Sequence, residues 1–278
     1  METRLSIPQF DSKKELITWL ISNKSVLIAQ KKSAVKYADA ISYSQELFFT
    51  DKQGTEFKVG DVGVGGDVKK IKVRSIINTT NLFDSHQDVH IDQLWNKSLK
   101  ETKGLYLVNQ HNFTFEGIIS DNVKAFAKQM TWHELGLNME GTTQALVFDS
   151  VIDKAESPDM FNRYSQGKVK NHSVGMQYVK VDLAVNDDRY EKEFKVWEKY
   201  FDRIANKEDV LENGFFWAVT EAKVIEGSAV VRGSNYATPT QSVEPKNEPV
   251  EATQPGAVDN TPKVDVVRLV KEFYQPKI

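Results

Sequence analysis

Apolar residues recur in short runs through the middle of the chain, and this pattern predicts strands more often than helices. Turn residues separate runs of strand length at 105–108, 123–132, 143–151, 173–181 and 215–225. Short strands with turns between them favour a curled antiparallel sheet or barrel over a parallel sheet. The sequence therefore predicts an α+β protein, with a mainly antiparallel β-barrel surrounded by helices.

Three further segments have the spacing of helices. The first follows the capping-box pattern that begins at Ser12 and runs to about Ala40. The second begins at Ser157, with Pro158 at the first helical position. The third, at 187–213, places aromatic residues at helical intervals, which is more typical of core packing than of a binding motif.

The composition changes near the end of the chain. Five of the eight prolines fall between Pro239 and Pro262, and no aromatic residue accompanies them. Such a segment buries too little apolar area to offset its ordering entropy, which predicts a disordered linker, and the amphipathic segment after it predicts a docking helix. The predicted divisions are a helical N-terminal extension at 1–45, a β domain at 46–237 with a helical insertion at 187–213, a linker at 238–262 and a tail helix at 263–278.

Composition narrows the classes of function. The 278 residues, 40% of them hydrophobic, are enough for one sizeable core. The net charge of -3 gives no general attraction to nucleic acid, and the lack of cysteine excludes disulfides, thiolate zinc sites and cysteine-protease chemistry. We find no signal-peptide pattern and no apolar run of membrane-spanning length. The sequence predicts a soluble cytoplasmic protein without nucleic-acid or membrane partners.

Three polar residues on or beside the predicted strands suit nucleophilic catalysis. Ser173 lies at the start of an apolar run, close to Gly175, which would let another backbone approach. His111 ends the run at 105–108, and Glu221 interrupts the run at 215–225. A serine hydroxyl needs an imidazole to take its proton, and the imidazole works best when a third group orients it. This predicts Ser173 as nucleophile, His111 as base and Glu221 as orienter.

Two other patterns are weaker. Asp and His alternate at Asp84, His86, Asp88, His90 and Asp92, which could gather a divalent ion if the segment were an extended strand. Turn-favouring residues dominate there and a helical pattern follows, so a structural turn is the better interpretation. The glycine-rich segment at 60–66 lacks the Gly-Lys-Ser/Thr of a phosphate loop. We therefore predict neither a metal nor a cofactor.

Four segments together resemble a known family. They are the segment Asn78–Asp88, the strand that ends in His111 with Gly117 after it, the segment His172–Met176 and the segment Thr220–Ile225. In this order they resemble the prohead maturation proteases of tailed bacteriophages, which are related in fold to the herpesvirus assemblins. The resemblance covers about residues 70 to 237 and implies the same roles for His111 and Ser173, with Glu221 as the third residue.

The resemblance also implies a biological role. It predicts a serine endopeptidase that cleaves the major capsid protein precursor, the scaffold and itself inside an assembling prohead in the bacterial cytoplasm. Activation by homodimer formation, as in the herpesvirus relatives, stays open. Two alternatives also stay open: a non-catalytic scaffolding protein that keeps the protease fold for capsid assembly, and a β protein whose His, Ser and Glu never meet.

Overall fold

The computed structural model describes residues 8–36, 48–50, 56–58 and 68–246. The α-helices in these ranges are α1 (Lys13–Ser33), α2 (Asn96–Glu101), α3 (Pro158–Ser165), α4 (Glu191–Tyr200) and α5 (Lys207–Asn213). The strands are β1 (Val35–Lys36), β2 (Phe48–Thr50), β3 (Glu56–Lys58), β4 (Lys70–Thr79), β5 (Asp88–His90), β6 (Leu107–Asn109), β7 (Ile118–Ser120), β8 (Val123–Thr131), β9 (Thr142–Asp153), β10 (Asn171–Val185), β11 (Phe215–Val230) and β12 (Thr240–Pro245). Short 3-10 helices lie at Phe115–Gly117, His133–Leu135 and Phe201–Arg203.

The described strands form two main sheets and one hairpin. The first sheet has the order β1-β10-β11-β6-β7, and β5 pairs with the first part of β11. The second sheet has the order β12-β4-β9-β8, while β2 and β3 pair with each other. Neighbours are antiparallel except that β5 and β6 run parallel to β11. The α+β class with mainly antiparallel pairing is confirmed.

The two main sheets share an apolar core. Gly227 of β11 lies so close to the other sheet that a Cβ there would come 2.7 Å from Phe148 and 3.1 Å from Ile77. Within the described ranges no sheet closes on itself, so the predicted barrel is not supported. β7 and β8 follow each other along the chain, but β7 pairs with β6 in the first sheet and β8 pairs with β9 in the second. The strands therefore do not join into one closed sheet.

The predicted N-terminal helix is present but shorter. Ser12 caps α1, because its Oγ accepts a hydrogen bond from the Glu15 N–H at 3.3 Å. The helix ends at Ser33 because the chain becomes extended at Ala34 and Val35 then pairs with Gln177 of β10. Lys31 binds the buried Asp88 carboxylate and thereby ties α1 to the sheet. The end of the predicted extension, from residue 37, lies outside the described residues.

The insertion and the linker also differ from the prediction in detail. The insertion at 187–213 contains two helices, α4 and α5, instead of one, and α4 buries Trp197 as its aromatic spacing predicts. The predicted linker begins too early, because residues 240–245 form β12 against β4. Its prolines do not prevent this, since Pro245 is the last residue of a strand at the edge of its sheet. The tail helix predicted at 263–278 lies outside the described residues.

Candidate active site

His111 lies on a tight turn that follows β6. Gln110 and His111 both have left-handed backbone conformations, with φ of 52° and 57°. Such conformations are unfavourable for residues other than glycine and cluster at functional sites. The turn is held by hydrogen bonds from the Gln110 N–H to the Ala229 carbonyl and from the Asn112 N–H to the Asn109 carbonyl, both at 2.9 Å. The fold therefore places His111 in a fixed and strained position.

A buried carboxylate binds the imidazole of His111. Its Nδ1 lies 2.7 Å from Glu226 Oε1, and the Glu226 side chain is only 1% exposed. Because Nδ1 faces a carboxylate oxygen, it carries the proton and donates it, which makes Nε2 the basic nitrogen of the neutral ring. Burial raises the pKa of Glu226, while the hydrogen bond from His111 acts in the opposite direction.

Ser228 of β11 fixes the backbone of the same turn. Its Oγ accepts a hydrogen bond from the His111 N–H at 2.8 Å and donates one to the Val108 carbonyl at 3.2 Å. Glu226 and Ser228 are two residues apart on one strand, so both side chains point to the same face of the sheet. Through these two residues, β11 holds His111 at both its backbone and its ring.

Ser173 lies on the neighbouring strand and faces the same way. In the register of β10 and β11 it is directly opposite Ser228. Directly opposed residues of an antiparallel pair share a face, with Cβ atoms about 5 Å apart. The Ser173 side chain is therefore beside the residues that hold His111. No residue in the described part of the chain hydrogen-bonds to the Ser173 hydroxyl, and a serine–histidine bond often tightens only when substrate binds.

Gly175 makes room for the Glu226 carboxylate. The two residues are cross-strand partners, and a Cβ at Gly175 would come 2.1 Å from Glu226 Oε1. The Gly175 N–H also hydrogen-bonds to Glu226, which favours the charged carboxylate. The glycine two residues after Ser173 thus has a role that the sequence pattern did not reveal: it admits the partner of His111.

Glu221 does not occupy the position predicted for it. Its carboxylate lies 2.5 Å from Lys180 Nζ and 3.7 Å from Lys97 Nζ, and Lys180 is its cross-strand partner. Glu226 is five positions further along β11 than Glu221, a distance of about 16 Å. The acidic residue at His111 is therefore Glu226, and the assignment of Glu221 as orienter is corrected. The signal that could have found Glu226 is its position, a carboxylate next to Gly227 and Ser228 in a mainly apolar strand.

Comparison with protein-family models, curated proteins and solved structures finds no match to this chain. The resemblance to prohead proteases stays a prediction from the residues themselves. None of the described helices has the length and apolar character needed to cross a membrane.

The other histidines near the site are part of buried hydrogen-bond networks. His172, next to Ser173 in the chain, bonds to the Tyr164 hydroxyl through Nε2 at 2.9 Å, and burial lowers its pKa to about 4. It therefore stays neutral and lies on the opposite face from Ser173, as the strand alternation predicts. His90 bonds to Asn78 and to the Tyr178 hydroxyl, both at 3.0 Å.

The first part of the alternating Asp/His segment, Asp84 to Asp88, forms a turn, as predicted, and Asp88–His90 then form β5. Asp84 Oδ1 accepts hydrogen bonds from the N–H groups of His86 at 2.8 Å and Asp88 at 3.0 Å. Ligand atoms of these three residues lie within 4.8 Å of one another, but Lys31 already places a positive charge at Asp88. Burial, with a smaller effect of the Asp88 charge, raises the pKa of Asp84 from 3.8 to about 7.

This raised pKa predicts a specific dependence of stability on pH. The folded protein keeps a proton on Asp84 that the unfolded chain releases, so Asp84 lowers the free energy of unfolding as pH rises from about 4 to about 7, by up to about 1.4 kcal/mol per pH unit. Asp84→Asn keeps the acceptor oxygen and is expected to remove this slope. Urea unfolding between pH 4.5 and 8 measures the difference in the free energy of unfolding between wild type and Asp84→Asn. The exposed Asp121→Asn is the control. A constant difference across this range would contradict the prediction.

Proposed function

We propose that this protein is a serine endopeptidase that matures the heads of a tailed bacteriophage. One observation carries the proposal: the Glu226 carboxylate binds His111 Nδ1 on the face of the sheet that bears Ser173. A carboxylate that orients an imidazole beside a serine is the arrangement that activates a hydroxyl for acyl transfer. The strained turn at Gln110 and His111 supports a functional role for this region.

The proposed mechanism assigns one step to each residue. Ser173 Oγ attacks the scissile carbonyl while His111 Nε2 takes the hydroxyl proton, and Glu226 stabilises the imidazolium that forms. The tetrahedral intermediate collapses as His111 gives the proton to the leaving amine, which leaves an acyl-enzyme on Ser173. Water, deprotonated by His111, then hydrolyses the ester and restores the serine. Backbone N–H groups near β10 are expected to stabilise the oxyanion.

The substrates and location are proposed from the family resemblance. The four segments that resemble prohead proteases include the candidate nucleophile and base, so the major capsid protein precursor and the scaffold are the proposed substrates. Cleavage would take place inside the assembling prohead in the bacterial cytoplasm, and self-cleavage and a homodimer belong to the same proposal. The alternative is a non-catalytic scaffolding protein with the same fold.

Covalent labelling tests the proposal directly. We expect a fluorophosphonate to modify the full-length protein at one residue, with the adduct mapped by peptide mass to Ser173 and absent from Ser173→Ala. We also expect a co-expressed capsid precursor to yield fragments over time with wild type and to stay intact with Ser173→Ala. If Ser173 takes no label and the precursor stays intact with both proteins, the non-catalytic alternative replaces the proposal.

A further inference from the structure

A groove of about 430 Å³ lies at the ends of β10 and β11, next to the candidate active site. One wall is α3, and another is the end of β11 around Val230. The remaining lining comes from the segment Lys168–Asn171 and from Asn109 and Gln110, which lead into the His111 turn.

The groove is rich in positive charge. Arg163, Lys168 and Lys170 line it, against the single carboxylate of Asp159. Asp159 lies 2.7 Å from Arg163, so its charge is already matched. Lys168 and Lys170 are exposed, and neither forms an ion pair with any residue in the described ranges. The two ammonium groups are thus available to a ligand in the groove.

Both lysines flank a buried residue in the segment that leads into β10. Val169 between them is buried, and its carbonyl accepts a hydrogen bond from Thr240 Oγ1 at 2.6 Å. Lys168 and Lys170, on either side of Val169, are exposed, and both line the groove. The Lys168 N–H also bonds to the Arg163 carbonyl at 2.8 Å, which fixes the segment to the end of α3.

The groove leads to both candidate catalytic residues. Asn171 lines it and lies two residues before Ser173, about 7 Å along β10 and on the same face of the strand. Gln110, on the other side, immediately precedes His111. A peptide with its scissile bond at Ser173 would therefore place a neighbouring side chain in the groove.

Resting on the proposed function, we propose that this groove is a substrate subsite that binds an acidic side chain, Asp or Glu, near the scissile bond. Carboxylate oxygens would bind the ammonium groups of Lys168 and Lys170, and the side-chain amide of Asn109 would donate a further hydrogen bond. The Asn171 amide already donates to the Val231 carbonyl at 3.1 Å. Because the lysines are exposed, the preference depends on ionic strength and weakens as salt screens the charges. We expect a preference of about tenfold for Glu over Gln.

Direct binding tests the subsite without requiring catalysis. The probe is a fluorescein-labelled peptide with three Glu residues, compared with the same peptide carrying Gln, on full-length Ser173→Ala at low salt. We expect the Glu peptide to bind about tenfold more tightly, and the additional pair Lys168→Gln and Lys170→Gln to reduce this difference to about twofold or less. The matched control, Lys124→Gln with Lys128→Gln, removes the same charge from exposed positions on β8 and is expected to keep the preference.

Cleavage of a peptide library by the wild-type protein separates this inference from the proposed function. Enrichment of Asp or Glu near the cleaved bond, lost with the Lys168→Gln and Lys170→Gln pair, supports the subsite. Cleavage without such enrichment, or equal binding of the Glu and Gln peptides, overturns the subsite and leaves the endopeptidase standing. If no peptide is cleaved but the binding preference follows Lys168 and Lys170, the endopeptidase proposal fails while the groove keeps its acidic ligand.

Discussion

Replacing Glu226 by Gln is expected to lower kcat/KM for peptide cleavage by about 10³- to 10⁴-fold while the protein stays folded. The amide of Gln has nearly the same shape as the carboxylate. It can present an N–H donor to His111 Nδ1, where the carboxylate accepted a hydrogen bond. The imidazole then accepts at Nδ1 and carries its proton on Nε2, the nitrogen that should take the proton of Ser173. The loss should be mainly in kcat, because Glu226 orients the base instead of binding the substrate.

Glu221→Gln is the matched control for this prediction. It removes the same charge from the same strand, but from a carboxylate that faces Lys180 and Lys97. We expect its kcat/KM to stay within about twofold of wild type, because a partly exposed ion pair contributes little. The two variants are compared by steady-state kinetics, with thermal unfolding as the check on folding. A large loss with Glu221→Gln and none with Glu226→Gln would reverse the assignment.

The difference between Glu221 and Glu226 shows where sequence reasoning reaches its limit at this site. Local patterns suffice to place Ser173 and His111 on or beside strands, because they depend only on nearby residues. The carboxylate partner depends on the register of β10 with β11, which shifts at three places, including one between Gly175 and Met176. Such bulges break the two-residue alternation, so counting along the strand does not tell which acidic residue faces the serine.

For the fold too, the sequence predicts local elements but not which distant strands pair. Local periodicity, capping residues and turn chemistry predict β6, β8, β9, β10 and β11, together with α1, α3 and the helical insertion. The strands β4, β5 and β7 lie outside the predicted runs. Whether a sheet closes depends on which distant strands pair, and local alternation carries no information on that. Here β11 pairs with β10 on one side and in parallel with β5 and β6 on the other. The edge strand β12 was missed for a related reason, since backbone pairing with β4 outweighs its unfavourable composition.

Gly175→Ala is expected to reduce kcat/KM by about 10²-fold or more without a comparable loss of folded protein. The added methyl would lie 2.1 Å from Glu226 Oε1, 2.8 Å from its Cδ and 2.9 Å from its Cγ. The carboxylate must therefore move, and His111 loses its fixed orientation. Overpacking of this kind typically costs about 1 to 3 kcal/mol of stability, which urea unfolding measures beside the kinetics.

Gly227→Ala separates loss of orientation from simple overpacking. Gly227 lies on β11 next to Glu226, but its added methyl would press on Phe148 at 2.7 Å, on the opposite face of the sheet. We expect a similar loss of stability and a kcat/KM within a few-fold of wild type. When Glu226 is already Gln, Gly175→Ala should also lower kcat/KM little further, because both changes remove the same support of His111. Additive losses, or equal losses of activity in the two glycine variants, would mean that Gly175 acts on stability alone.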